Sequence, residues 1–371
     1  MAAERRSQDA CSIWLAAHWT WIVLAWEDWA VVSLSDAAKR RAPSQATLSR
    51  FLAACAWEKL VALFTAEQRR QLKRRWSEFD RRRVKEGAKR MGGKVRDRRK
   101  LARLVRKPMP QYSLDGKRRN GCLSPETGRH EVDLRLYCPD TKQILACRTL
   151  NDKEGEQDAS REILEDEGKT LPSGVITGDA GILSPQVVTA ARAAKHEYLL
   201  GIKGNAGKAH DVVSAHPWER IERSHENYSK GHGREEYRSL KRVSLASLGS
   251  PEVFDKYKDM GFAFQLTRLV KTTKTGSITE EVAYFVGSQG LAPLSYAQVQ
   301  AYARDHWQLE AFHWVRDVVL GEDDCPQKGN NASRVLSLLR DAVIDIGIRS
   351  FGSTRRFLDR FSADPKGVLK R

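Results

Sequence analysis

The sequence predicts an α/β fold behind a helical N-terminal region. Three observations carry this expectation. Apolar residues in the first hundred or so positions recur at helical spacing, and after Pro110 the pattern switches to the alternation of strands. From there the order runs strand, strand, strand, helix, strand, helix, strand.

The helical opening has a start signal at Ala42-Pro43-Ser44, followed by Leu48, Phe51, Leu52, Leu60, Leu63 and Phe64. Pro108 and Pro110 mark a boundary. "QYSLDGKRR", "HEVDLRLYC" and "KQILACRTL" alternate as strands do, the last two joined by a turn at "PDTK". "DASREILEDEG" has helical periodicity, and "SGVITGDAG" is a short apolar strand ending at Asp179. Ser184 and Pro185 open the helix "SPQVVTAARAAK", and "EYLLGIKG" is the next strand. From about Asp211 to Gly290, "REEYRSLKRVSL", "FAFQLTRLVKTT" and "EEVAYFVGS" read as a β-rich insertion rather than a continuation of the core. Ser295 caps a long helix that stops at Gly321. A last helix, beginning near Asn331, carries Val335, Leu338, Leu339, Ala342, Val343 and Ile346 as one apolar stripe.

The chain has 371 residues, 41% of them apolar and 30% charged, which excludes a wholly disordered, collagen-like or multi-span membrane protein. Its six cysteines include no Cys-x-x-Cys pair, so a reducing compartment fits best. Cys122, His130, Cys138 and Cys147 are spaced too widely for a zinc knuckle or ribbon. The apolar run from Cys11 to Trp26 is short for a membrane span and is followed at once by Glu27 and Asp28. With five of the ten tryptophans in or beside it, a packed helix is the expectation. The formal charge is +17, and a net +14 of it lies between Glu67 and Lys107, with 19 Lys plus Arg against 5 Asp plus Glu. Such a window repels itself unless a polyanion is near; nucleic acid is the natural counterion, and an exposed basic linker is the alternative.

Asp115 and Asp179 each stand at the expected end of a strand, in "LDGK" and "TGDAG". Either one alone reads as a turn former. If their strands are neighbours, the two carboxylates repel, and a divalent cation relieves that repulsion. The long helix offers a third acid, Glu310, amid His306, Trp307, His313, Trp314 and Asp317. A pairing of Glu310 with Arg304 or His306, or a metal site from His306, Glu310 and His313, are alternatives at this stage.

The stretches "LDGK", "NDKEGE", "ITGDAG", "YLLGIKGN", "GHGREEYR", "YFVGS", "RDHWQLEAFHWVRDVVLGEDD" and "KGNNASRVLSLLRDAVIDI" follow one another from about Tyr112 to Ile348. In them the chain resembles the DDE transposases of bacterial insertion sequences, in the group whose ribonuclease H-like catalytic domain carries a β-rich insertion before the glutamate. The resemblance implies a ribonuclease H-like mixed sheet flanked by helices, with its first and fourth strands adjacent. It assigns Asp115, Asp179 and Glu310 as the catalytic, metal-binding triad for two Mg²⁺ ions, with Mn²⁺ able to substitute. The implied reaction is hydrolysis at the ends of the insertion sequence, then attack of the freed 3′-hydroxyl on target DNA. Double-stranded DNA is the implied partner, with a homodimer in the DNA complex, in the bacterial cytoplasm beside the nucleoid and away from membranes. Lys117, Lys203, Asn205, His232, Arg234, Arg304, His306 and Trp307 are candidate DNA contacts.

The expected organisation is a helical region with a basic DNA-binding segment (1–107), a first part of the core (108–210), the β-rich insertion (211–290), a second part bearing the glutamate helix (291–350) and a basic tail (351–371). The competing functions are a non-catalytic DNA-binding relic, a ribonuclease H-like nuclease that joins no strands, and a basic RNA-binding protein.

Overall fold

Helix and strand appear where the sequence period changes. In the computed structural model, which describes residues 45–90, 106–124, 126–151, 155–231, 233–324, 327–328 and 331–363, the opening forms α1 (Gln45–Ala54) and α2 (Trp57–Arg90). β1 (Gln111–Leu123), β2 (His130–Cys138) and β3 (Gln143–Leu150) follow, then α3 (Glu156–Asp166), β4 (Val175–Gly178), α4 (Pro185–Ala193), β5 (Glu197–Ile202) and α5 (Lys208–Ser214). Next come β6 (Ser224–Gly231), β7 (Arg234–Ser244), β8 (Met260–Thr272) and β9 (Ile278–Ser288). The chain then forms α6 (Tyr296–Trp314), β10 (Gln327–Lys328), α7 (Asn331–Phe351) and α8 (Thr354–Ala363). The tryptophan-rich run, His232 and the end of the basic tail lie outside the described residues.

The caps read from the sequence are in place. Ser184 Oγ accepts the Val187 N–H at 3.2 Å with Pro185 at the first helical position. At the start of α6, Ser295 Oγ accepts from Gln298 N–H while Gln298 Oε1 accepts from Ser295 N–H, a reciprocal capping box.

The fold is α/β, a mixed sheet flanked by helices. Its strand order is β3-β2-β1-β4-β5-β9-β8-β7-β6, with β10 beside β1. β1, β4 and β5 run parallel; β5 to β9, β9 to β8, β8 to β7 and β7 to β6 are antiparallel. Residues 211–290, read from sequence as an insertion, supply β6–β9, which hydrogen-bond through β9 to β5 within the same sheet. Strand β1 corrects the expected strand end at Asp115: it runs on through Gly116 to Leu123, pairing with β10 at Cys122 and Leu123.

Residues 65–117 with 133–311 form one compact unit, and the described residues of 1–64, 118–132 and 312–371 form another. The first unit has apolar packing on both sheet faces. Tyr112, Leu114, Ile176, Tyr198 and Leu200 join Ile163, Val187 and Val188 of α3 and α4. On the other face, Val175, Leu199, Leu240, Phe264 and Leu266 join Val299, Tyr302 and Ala303 of α6. The middle of α2 docks on the β2–β3 hairpin through Arg69 to Leu145 O (2.5 Å), Arg75 to Thr141 O (3.3 Å) and Gln68 with Gln143 (3.0 Å). Several cations of the basic window therefore have intramolecular partners.

His196, just before β5, gives this unit a pH-dependent term. Its Nδ1 accepts the Gly174 N–H at 3.1 Å, so Nε2 carries the proton and donates to Gly168 O at 2.9 Å. Burial holds its pKa below the ordinary 6.5. The unfolded chain takes up the proton first, so the stabilisation is complete above the unfolded value and is lost as pH falls toward the depressed folded one. Thermal melts are expected to show a fall in stability from pH 7 to pH 5 that is smaller in His196→Asn. An unchanged pH dependence in that variant would contradict the assignment.

Candidate active site

Alternation in β1 puts Gln111, Ser113, Asp115 and Lys117 on one face, and alternation in β4 does the same for Val175, Thr177 and, one residue past the strand, Asp179. This is the face that packs against α6. The parallel register pairs Gln111 with Val175, Ser113 with Thr177 and Leu114 with Gly178. Asp115 and Asp179 are the next residues along two adjacent strands, which lie about 4.8 Å apart.

Helix α6 follows this face with Tyr302, His306 and Glu310, four residues apart. A step of four along a helix advances about 6 Å and a step of two along a strand about 6.6 Å, so the two rows stay in phase. The contacts show it. Gln111 Nε2 donates to Tyr302 O at 2.9 Å and to Thr177 Oγ1 at 3.0 Å. Thr177 Oγ1 also meets Ser113 Oγ at 3.0 Å and His306 Nδ1 at 3.2 Å. One turn on, Glu310 comes within electrostatic reach of Asp179. Partial desolvation raises the Glu310 carboxyl above its ordinary range although the residue is exposed, and the charge of Asp179 raises it further.

The middle of α6 is pinned by ions at Asp305. Arg106 forks onto Asp305 at 2.5 and 2.6 Å, and buried Lys107 reaches Asp140 at 2.5 Å and Asp305 at 2.9 Å. Burial works to raise the Asp305 pKa, but the two cations outweigh it and hold it down. Gln111 Oε1 accepts from Lys107 Nζ at 2.9 Å, so a single network links this ion cluster to His306. Gln111→Leu is expected to cost about 1–3 kcal/mol by leaving buried donors and acceptors without their partner. A denaturant midpoint equal to that of the parent would show that the network carries no stability.

The turn bearing Asp179 is held from three sides. Asn205 Nδ2 donates to Ala180 O at 2.6 Å, Gln157 Nε2 donates to Gly181 O at 3.0 Å, and the Gly181 N–H donates to Asp179 Oδ1 at 2.9 Å. β5 passes so close that a Cβ at Gly201 would lie 3.0 Å from Ala180 N and 3.2 Å from the Asp179 carbonyl carbon.

The other candidates divide by position. Lys203 is exposed just after β5, and Asn205 ties down the Asp179 turn. Lys117 is buried in β1 on the face of Asp115. Burial lowers the His306 pKa to about 4 against the raising pull of Asp179, so the ring is neutral and carries no charge toward a phosphate. Arg234 pairs with Glu236 at 3.1 Å, Arg304 is exposed on α6, and the Trp307 ring lies 5.4 Å from the Arg268 guanidinium. The sequence reading missed Gln111, Thr177, Gln157 and Asp305; the only signal for Gln111 was a polar residue recurring with Ser113 and Asp115 in "QYSLD".

Among the described residues, no three His, Cys, Asp or Glu side chains are grouped so as to hold one metal ion. This applies equally to the His306, Glu310 and His313 grouping and to the cysteine grouping. The chemistry of the acidic donors still suits Mg²⁺: all are hard carboxylate oxygens, Asp115 and Asp179 are neighbours in register, and Asp179 and Glu310 repel in a way a cation relieves.

Residues 135–344, more than half of the chain, match the family described as the transposase DDE domain. The chain belongs to that family. The chain is 29% identical over 187 residues to YbfL of Escherichia coli K12, covering 46% of this chain and 47% of YbfL. It is 28% identical over 187 residues to the H repeat-associated YhhI of the same strain, covering 46% and 47%. It is 25% identical over 196 residues to YncI of Escherichia coli O157:H7, covering 47% and 46%. YhhI and YncI carry provisional transposase names, and the matches span about half the length of these curated relatives. Among solved structures, the piggyBac transposase synaptic complex with hairpin DNA aligns with 65% of this chain and 47% of that one, at 10% identity and a TM-score of 0.35. No helix among the described residues is long and apolar enough to cross a membrane.

Proposed function

We propose that this transposase cleaves DNA at the ends of its insertion sequence and transfers the resulting 3′-hydroxyl into target DNA, with Asp115, Asp179 and Glu310 as metal-binding carboxylates. The observation that supports this best is the parallel β1–β4 register, which brings Asp115 and Asp179 to adjacent strands under the helix turn bearing Glu310. Two Mg²⁺ ions, or Mn²⁺ in their place, would supply activation of the attacking oxygen and neutralisation of the leaving one. The protein's own part is positional. The Asn205 and Gln157 bonds fix the Asp179 turn, the Gln111–Thr177–His306 chain sets the phase of α6, and the neutral His306 adds no charge to repel a cation. Two sites are needed to join two DNA ends, so a homodimer is the proposed assembly on DNA, and the bacterial nucleoid the proposed place of action.

The test begins by sequencing the flanks of the gene and uses a duplex bearing the inverted repeats that the proposal expects there. With Mg²⁺ or Mn²⁺ the full chain should nick the repeat boundary, leave 3′-hydroxyl ends and join them to a second duplex; EDTA should stop both steps. Boundary nicking that persists in EDTA would contradict the proposal.

A further inference from the structure

Strands β7 and β8 set Arg238 directly opposite Arg268. Like charges facing across a strand pair destabilise a sheet, so this pair calls for compensation. The protein supplies part of it. Glu236 is bonded to Arg238 and reaches Arg268 and Arg234, each at 3.1 Å, while Glu281 pairs with Arg268 at 2.9 Å. Arg304 of α6 stands close enough to add its charge to Arg238, whose pKa burial first, then Arg304, Arg268 and Arg234, bring down to about 10. Three guanidinium groups thus share two carboxylates, with that of Arg304 nearby.

The cluster is built into the fold. Arg238 is 5% exposed and Glu236 8%, and the Nε groups of Arg238 and Arg268 are buried with no hydrogen-bond acceptor. Arg268 lies over the Trp307 ring. Arg234 and Arg304 are exposed, and Arg304 forms no ion pair among the described residues. Arg304, Trp307 and Glu310 follow at three-residue steps along α6, so the cluster lies about 9 Å along the helix from the proposed metal-binding end. A cluster with two more guanidinium groups than carboxylates, whose Arg234 and Arg304 are exposed, suits a phosphodiester oxyanion, which guanidinium binds through paired hydrogen bonds.

We propose that Arg234, Arg238, Arg268 and Arg304, braced by Glu236 and Trp307, form a phosphate subsite that takes the backbone of the DNA strand leading to Asp115, Asp179 and Glu310. The strand assignment rests on the transposase reading above.

The experiment measures binding of the full chain to a fluorescent duplex over a salt series. The exposed double variant Arg234→Gln/Arg304→Gln is expected to lose about tenfold or more in affinity and to show a shallower salt dependence, by roughly one unit of slope for each phosphate no longer neutralised. Arg268→Lys keeps the charge but not the fork and should retain the slope while losing affinity. Mn²⁺ affinity should stay at the parental value in both variants, which separates loss of the subsite from unfolding. Parental affinity and slope in the double variant, with boundary nicking by the parent intact, would overturn the subsite and leave the transposase reading standing. A parent that binds DNA but never nicks it, with the double variant still weakened, would keep the subsite and overturn the transposase reading.

Discussion

Glu310→Gln is expected to abolish metal-dependent cleavage of the insertion-sequence ends while leaving duplex affinity nearly unchanged. Glutamine matches glutamate in shape, and Glu310 is exposed at the far end of the Tyr302–His306–Glu310 row, so the exchange leaves the packing of α6 intact. What it removes is one negative charge beside Asp179. A metal ligand supplies several kcal/mol of charge stabilisation in phosphoryl transfer, and its loss lowers the rate on the order of 10³-fold or more. Affinity for the duplex is governed by cations elsewhere and responds to salt rather than to this carboxylate. Single-turnover cleavage and anisotropy measured on the same preparation check both halves. Cleavage equal to the parent would remove Glu310 from the mechanism.

The second large effect is structural. After α6 the helix widens into a π turn, Val315–Val319, and Arg316 within it is completely buried. Its Nε donates to Glu322 at 2.9 Å, one terminal nitrogen also bonds Glu322 and donates to Ser337 Oγ at 2.7 Å, and the other bonds Asp341. Two buried carboxylates therefore share this guanidinium, with Arg340 standing 3.8 Å from Glu322 as a weaker second cation. Removing one member of a buried ion cluster leaves charge uncompensated in a low-dielectric interior, so Arg316→Met should destabilise its unit by about 3–5 kcal/mol. Adding Glu322→Gln and Asp341→Asn should recover part of the loss, because the stranded charges go with the cation. Urea midpoints of the single and triple variants test this; a single variant as stable as the parent would show that the cluster contributes nothing net.

Local signals carried most of the architecture. The Ser184 and Ser295 caps and the alternation in β2, β3, β7, β8 and β9 were legible because each depends on a few neighbouring residues, whereas only Val335 and Leu338 of the stripe read on α7 are buried. The misreadings depend on distant partners. β1 continues past Asp115 to Leu123 beside β2, and its last two residues also meet β10, some two hundred residues later in the chain. β6, "SHENYSKG", has almost no apolar face and is strand only because β7 pairs with it along its whole length.

The candidate site divides in the same way. Asp179 and Glu310 stood out by position, but that strands one and four are neighbours came only from the resemblance. The register that sets Asp115 beside Asp179 came from the structure. His306 reads as a candidate DNA contact, and nothing local reveals Thr177, which lies 129 residues earlier and meets its ring. Nothing in the sequence singles out Arg238 or Arg268, and only the pairing across β7 and β8 sets them face to face.

The central claim is that Asp115, Asp179 and Glu310 bind divalent cations as a group. Counting Mn²⁺ bound to the full chain by electron paramagnetic resonance tests it without DNA or turnover. Asp115→Asn, Asp179→Asn and Glu310→Gln should each weaken Mn²⁺ binding, and the triple variant should bind none at these positions while keeping the parental circular dichroism spectrum. Undiminished Mn²⁺ binding by a folded triple variant would contradict the account.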